Sequence, residues 1–306
     1  MLSAGLRIYT LILTLSATLV LAWGQSRQGL EADLRAMLPP SGGKMVLAAK
    51  NLKTGETVHV DSATRVKTAS VIKLPIMVEV FYQVKEGRLK LDEPISFNDS
   101  DKVQGSGILQ DLHGGLSLTL RDAVILMITL SDNSATNLVI DKVGIARVND
   151  RMRSLGLKET KLFKKVFVAT SEPPSPESAA YGLAMTTPND MIVLLEKIAR
   201  GEILDQAACD QMMTILKKQR SRDAIPRYLG ESTKDKPAVV VANKTGSLND
   251  VRNDVAIVLT PNGPYVMAIF CYDLKDTRWT ADNEGTLAIA KAARRIVQHF
   301  ETSMIP

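Results

Sequence analysis

Strand-like runs stand at the two ends of this chain, and a long helical stretch lies between them. Met45 to Ala49 and Thr57 to Val60 are apolar runs around Asn51-Leu52-Lys53-Thr54-Gly55, a hairpin signature. Ala238 to Ala242, Val255 to Leu259 and Tyr265 to Cys271 are further short runs, joined by turn residues such as Asn262-Gly263. The economical way to bury both sets is one antiparallel sheet built from both chain ends. A first helix (Leu30, Leu34, Leu38) and a closing helix (Ile289, Ala292, Ile296, Phe300) carry apolar faces that would flank it. The expected class is α+β. Residues 25–67 plus 222–306 form the sheet domain, and residues 68–221 are an inserted all-α domain.

Inside the insertion, Val71, Leu74, Val78, Phe81 and Tyr82 recur at helical spacing and predict a buried amphipathic helix ending near Gly87. Thr119-Leu120-Arg121-Asp122 is a capping box. The helix it opens is apolar almost all round and reads as central, stopping at Ser131-Asp132-Asn133. One helix follows, with Val148, Met152 and Leu155 inward and Gly156 as its stop. Ser171-Glu172-Pro173-Pro174-Ser175-Pro176-Glu177 holds too many prolines for a helix or a central strand. Thr187-Pro188 then caps a helix with Met191, Leu194, Leu195 and Ile198 inward.

Residues 1–24 read as an export signal. Arg7 is their only charge, Ile8 to Ala22 are largely apolar, and Ala22-Trp23-Gly24 offers a cleavage site before Gln25. The run is short for a membrane span, so a periplasmic or secreted protein without stable membrane association is expected, with an uncleaved N-terminal anchor as the alternative. The net charge of +5 is spread along the chain, with no basic run interleaved with aromatics, which argues against nucleic-acid binding. Two distant cysteines, Cys209 and Cys271, read as buried free thiols. With three scattered histidines and no His-Glu-x-x-His or Cys-x-x-Cys, neither a metal nor a cofactor is expected.

Chemistry enters at Ser70 and Lys73. Three residues apart at a helix start, they share a face. A serine becomes nucleophilic when a neighbour takes its proton, and a lysine with a lowered pKa can do so. Further along stand Ser131-Asp132-Asn133 and Lys244-Thr245-Gly246. His59, His113 and His299 are not arranged as a general base, so a serine–histidine pair fails on inventory.

With these three motifs in order, the chain resembles class A β-lactamases over nearly all of its mature length. Gly105-Ser106-Gly107-Ile108-Leu109, Leu118-Thr119-Leu120-Arg121-Asp122, Thr186-Thr187-Pro188 and Arg252-Asn253-Asp254 match as well. The resemblance implies that Ser70 is the nucleophile and Lys73 a candidate base. It implies an oxyanion hole from the Ser70 and Ser247 N–H groups, and Ser131 as relay to the lactam nitrogen. Asn133 would orient a substrate amide or Lys73. Lys244, Thr245, Gly246 and Arg252 would form the carboxylate end of the substrate site. Asp132 would support its loop. The implied function is an exported serine β-lactamase working through an acyl-Ser70 intermediate, a monomer whose partner is a small β-lactam.

The family's Arg-x-Glu-x-x-x-Asn loop is only partly matched. Glu172-Pro173 resembles its Glu-Pro and lies at a family-like distance from Thr186-Thr187-Pro188. Thr170 and Pro176, however, stand where arginine and asparagine are expected. Glu172 is the expected hydrolytic base and Glu177 the lesser alternative. If neither serves, a penicillin-binding-type acyltransferase or related serine hydrolase with slow deacylation is the second reading. A non-enzymatic β-lactam sensor is the third.

Overall fold

The structure is a computed structural model that describes residues 29–169, 171, 173–230 and 239–302. The expected export signal therefore lies outside the described residues, as does Glu172. In chain order the elements are α1 (helical over 29–36), β1 (Lys44–Asn51), β2 (Thr57–Val60), β3 (Val66–Lys67), α2 (Lys73–Lys85), β4 (Pro94–Phe97), β5 (Leu116–Thr119), α3 (Leu120–Thr129), α4 (Asn133–Val143), α5 (Ile145–Ser154), β6 (Lys161–Leu162), α6 (Pro176–Tyr181), β7 (Ala184–Thr186), α7 (Pro188–Ala199), α8 (Gln206–Leu216), β8 (Val240–Leu248), β9 (Val251–Thr260), β10 (Gly263–Tyr272) and α9 (Glu284–Thr302).

The main sheet has the order β2-β1-β10-β9-β8 with every pair antiparallel, and so it is built from both chain ends as expected. The seam is β1 against β10, in register from Lys44↔Tyr272 to Asn51↔Tyr265. Alternate residues of β1 serve two cores. Met45, Leu47 and Ala49 join Leu30, Leu34 and the α9 residues Ile289, Ala292, Ile296 and Phe300. Val46 and Ala48 join the core that holds α2, α3, α4, α7 and α8. Because both faces are covered, the strands read as continuous apolar runs rather than as an in–out alternation. Among the described residues no helix is long and apolar enough to cross a membrane. No group of His, Cys, Asp or Glu among them could hold a metal. Cys209 and Cys271 are both buried and free, one in each core.

The helical region differs from expectation in four places. The central helix is α2 rather than α3: ten of its thirteen residues are buried, including Lys73, Glu79 and Gln83, whereas Arg121 and Asp122 of α3 are exposed. The stretch after Ser131 is two helices, α4 and α5, separated by Gly144 at φ +80°. The proline-rich loop does end in a short helix, α6, because Pro176 stands at its first position, where a missing N–H costs nothing, with Ser175 as the cap. Finally, the insertion is not all-α: β6 and β7 form one small sheet with β3, and β4 and β5 another, with strands too short to leave a period-2 pattern.

The polar residues buried on α2 need partners. The Glu79 carboxylate, 1% exposed, accepts from Arg151 Nε of α5 at 2.9 Å and from Gln83 Nε2 at 2.8 Å. Arg151 also reaches Glu86 at 2.6 Å and stacks over the Tyr82 ring. Arg151→Ala strands a buried carboxylate and should cost about 3 kcal/mol, near the lower bound for such pairs because Arg151 itself reaches water. Urea titration should show the midpoint shift, and adding Glu79→Gln should recover part of it.

Candidate active site

Ser70 sits in a 3-10 turn, Ala69–Ile72, that leads directly into α2. The residue before it, Ala69, has φ +45°, a conformation that costs a residue with a Cβ. Such strain persists only where surroundings impose it. Two residues impose it from the sheet. Asn253 on β9 donates its amide to the carbonyls of Lys67 (2.9 Å) and Thr68 (3.1 Å). Its register partner Gly246 on β8 lies so close that a Cβ there would come 2.6 Å from Thr68 O and 2.9 Å from the Ser70 and Val71 nitrogens. Glycine at 246 is thus needed for the approach of β8 to the nucleophile turn. β8 is an edge strand, so its outer side has no sheet partner, and that side faces the turn.

Ser131 is the meeting point. It too has positive φ, +55°, between α3 and α4. Lys73 Nζ donates to Ser131 O (2.6 Å), Ser131 Oγ (3.2 Å) and Asn133 Oδ1 (2.9 Å). Lys244 Nζ donates to Ser131 Oγ (3.1 Å) and to Thr245 O (2.7 Å). Among the described residues none of the Lys73 hydrogen bonds goes to Ser70. The loop itself is held by Asp132, whose carboxylate accepts from the N–H groups of Ile108, Leu109 and Ala135. Asn133 is committed on both sides: Oδ1 to Lys73, and Nδ2 to Gln104 O at 3.0 Å.

Both lysines are fully buried. Burial, helped by the neighbouring Lys244 charge and opposed by Asp132, pushes Lys73 well below its ordinary value. Burial also pushes Lys244 down to about 7, against the pull of Asp254. Asp254, opposite Thr245 in the β8–β9 register, is pushed up to about 7 by burial, although Asn243 Nδ2 and the Ile225 N–H donate to it. Burial thus favours the neutral form of both amines; an amine so disposed can accept a proton, and one that keeps its charge can hold an anion. Such perturbed groups clustered in a cleft mark a functional site.

The remaining expected residues are placed as follows. Arg252, opposite Ser247, lines a cavity of about 190 Å³ with Thr245, Ser247, Asp223 and Trp279. Its guanidinium already donates to the carbonyls of Leu248 (2.5 Å), Val251 (2.8 Å) and Arg278 (2.6 Å), and it stacks on Trp279. Two of its five N–H donors remain. Glu177 is taken by Lys161 on β6 at 2.8 Å, and that hydrogen bond holds its carboxyl below the usual range. The loop before it is pinned by a pair of bonds that sequence reasoning missed. Asn137 of α4 accepts from the Val166 N–H (2.8 Å) and donates to Val166 O (2.9 Å). This fixes a buried Val166, one helical turn along from Asn133. The histidines bond elsewhere: His59 to Ser62, His113 to Gly114 O, His299 to Glu56.

A model of the protein family described as "Beta-lactamase enzyme family" matches residues 29–300. Among curated proteins, the chain is 25% identical over 191 residues to beta-lactamase CARB-3 of Pseudomonas aeruginosa, covering 62% of this chain and 64% of that relative. It is 26% identical over 247 residues to beta-lactamase L2 of Stenotrophomonas maltophilia, covering 78% and 76%. The chain thus spans just under two thirds of the length of relatives such as CARB-3. Among solved structures, a beta-lactamase from Sphaerobacter thermophilus superposes with TM-score 0.78 at 35% identity, covering 91% of this chain and 98% of that one. A mutant of PBP-A, an acyl-enzyme complex with penicillin G, superposes with TM-score 0.77 at 28% identity, covering 90% and 97%.

Lys244 carries its charge below about pH 7 and loses it above. Affinity of the free protein for a small carboxylate at this end of the cleft should therefore weaken as pH rises through 7, by up to about tenfold per unit. Competitive inhibition by such an anion between pH 6 and 8.5 measures this. Lys244→Arg, charged throughout, should flatten the profile.

Proposed function

The chain belongs to the beta-lactamase enzyme family, and from that premise we propose that it opens β-lactam amides by acyl transfer to Ser70, as an exported monomer that needs no cofactor. The observation that carries this reading is the pair of buried lysines sharing Ser131 Oγ beside the Ser70 turn. Ser70 Oγ attacks the lactam carbonyl as its proton passes to Lys73 in the deprotonated form that burial favours, one of the three Nζ contacts giving way to the serine. The oxyanion is met by the Ser70 and Ser247 N–H groups. Lys73 returns a proton through Ser131 Oγ to the lactam nitrogen as the C–N bond breaks, leaving an ester on Ser70. Lys244 and Thr245, with the free edge of Arg252, hold the substrate carboxylate. Ester hydrolysis then needs a water and a base, and Glu172 is the carboxylate proposed for it.

A second reading, in which the acyl-ester is long-lived as in a penicillin-binding protein, is favoured by one observation. The loop residue pinned to Asn137 of α4, one helical turn from Asn133, is Val166, which offers no base. The similar PBP-A mutant described as an acyl-enzyme complex with penicillin G is a protein in which such an ester was captured.

Chromogenic cephalosporin turnover and intact-protein mass spectrometry on the purified mature protein test both readings. Ser70→Ala should abolish turnover and the covalent adduct, and an adduct elsewhere would sink the assignment. Under the first reading Glu172→Gln slows turnover about 10²–10⁴-fold, the usual general-base contribution, and lets acyl-Ser70 accumulate. Under the second, the parent protein already holds acyl-Ser70 for hours. Val166→Glu, which puts a half-desolvated carboxyl with a raised pKa at that point, should then shorten its lifetime.

A further inference from the structure

Phe167 is a large apolar side chain that the fold itself does not use. It is 63% exposed and stands at φ +53°, a left-handed conformation that is an outlier for a bulky residue. Neither burial nor backbone preference keeps a phenylalanine there; glycine or asparagine would suit the backbone better. The position is nonetheless fixed, because Asn137 clamps both backbone groups of the preceding residue, Val166. The ring edge lies close to Gly105. A Cβ on Gly105 would lie 3.2 Å from Phe167 Cε2 and 2.8 Å from Asn133 Nδ2. The ring edge and the Asn133 amide thus flank one glycine, whose missing side chain leaves the ring room.

This puts an exposed aromatic surface at the Asn133 end of the cleft, away from the cationic end at Lys244 and Thr245. In a penicillin-type lactam the carboxylate and the acylamino substituent stand on opposite sides of the reacting carbonyl. A carboxylate at Lys244 therefore sends the acyl substituent toward Asn133. Covering an exposed ring with apolar area is favourable, and aromatic pairs add to that. We propose that Phe167 is a specificity-determining residue whose ring is the wall for an aromatic or bulky apolar acyl substituent of the substrate. The proposal rests on the acyl-Ser70 reading above and deepens it. Backbone strain is retained at Phe167 because the contact is made in the complex rather than in the free protein.

The test compares rates of Ser70 acylation by benzylpenicillin, which carries a phenylacetyl group, and by 6-aminopenicillanic acid, which carries none. The proteins are the parent, Phe167→Gly and Phe167→Tyr. Glycine removes the ring and accepts the backbone angle, so the melting temperature should be unchanged or higher. Acylation by benzylpenicillin should fall about tenfold or more, while 6-aminopenicillanic acid stays within about twofold. Phe167→Tyr should keep the parent preference. An equal loss for both compounds, no loss for either, or a collapse of the melting temperature in Phe167→Gly overturns the role of Phe167 alone. A parent protein that forms no acyl-Ser70 with either compound overturns the acyl-serine reading and this proposal with it.

Discussion

Two amines buried around one hydroxyl are the constraint on which the rest of the cleft depends. Placing Lys73 and Lys244 out of water beside Ser131 Oγ is costly, and the cost is offset by three acceptors around Lys73 and two around Lys244. The partners come from separate parts of the chain: Lys73 donates from the start of α2, the Ser131–Asn133 corner accepts, and edge strand β8 supplies Lys244 and the Thr245 carbonyl. Each part must be held within a few tenths of an ångström. That requirement accounts for the Asp132 carboxylate bonded to three N–H groups, for the Asn253 amide bridging two carbonyls, and for a glycine where β8 passes the nucleophile turn.

Buried polar groups are also paired away from the cleft, along α2. Glu79 and Gln83 lie on a helix buried at ten of its thirteen positions, and Arg151 reaches in to meet the carboxylate. One end of α2 presents the reacting serine and the other is tied to α5. The helix is therefore a fixed post rather than an amphipathic surface element, which is why its orientation can serve the chemistry.

Much of this was legible in the sequence where the signal is local. The strands at the two ends, the Thr119 and Thr187 caps, and the spacing of Ser70 and Lys73 are all set by neighbours within a few residues, and they appear where expected. What was hidden depends on partners far along the chain. Ala69, Ser131 and Phe167 adopt left-handed backbones without being glycine, so composition does not flag them. Asn253 and Asn137 look like ordinary polar residues, and only the fold shows that each clamps a distant backbone. The boundary between α4 and α5 is marked locally, by Asp132 as cap and Gly144 as terminus, but the apolar pattern runs on across it. Arg252 was expected from its motif, but its three carbonyl partners depend on β8, β9 and the Arg278–Trp279 turn together.

The seam between β1 and β10 has a consequence for how the cleft comes into being. It joins Lys44 to Tyr272, and the turn that carries Ser70 is latched by Asn253, 183 positions later. Local bonds such as Thr68 Oγ1 to the Ala69 carbonyl are joined by this latch only once β9 is in place. A ribosome must therefore release the chain through β9 before the nucleophile is set. Loop closure over such spans is slow, and contacts of this kind dominate folding time. Chemical competence is therefore acquired late and all at once, so a chain cut short before β9 is left without its latch, whatever helices it has already formed.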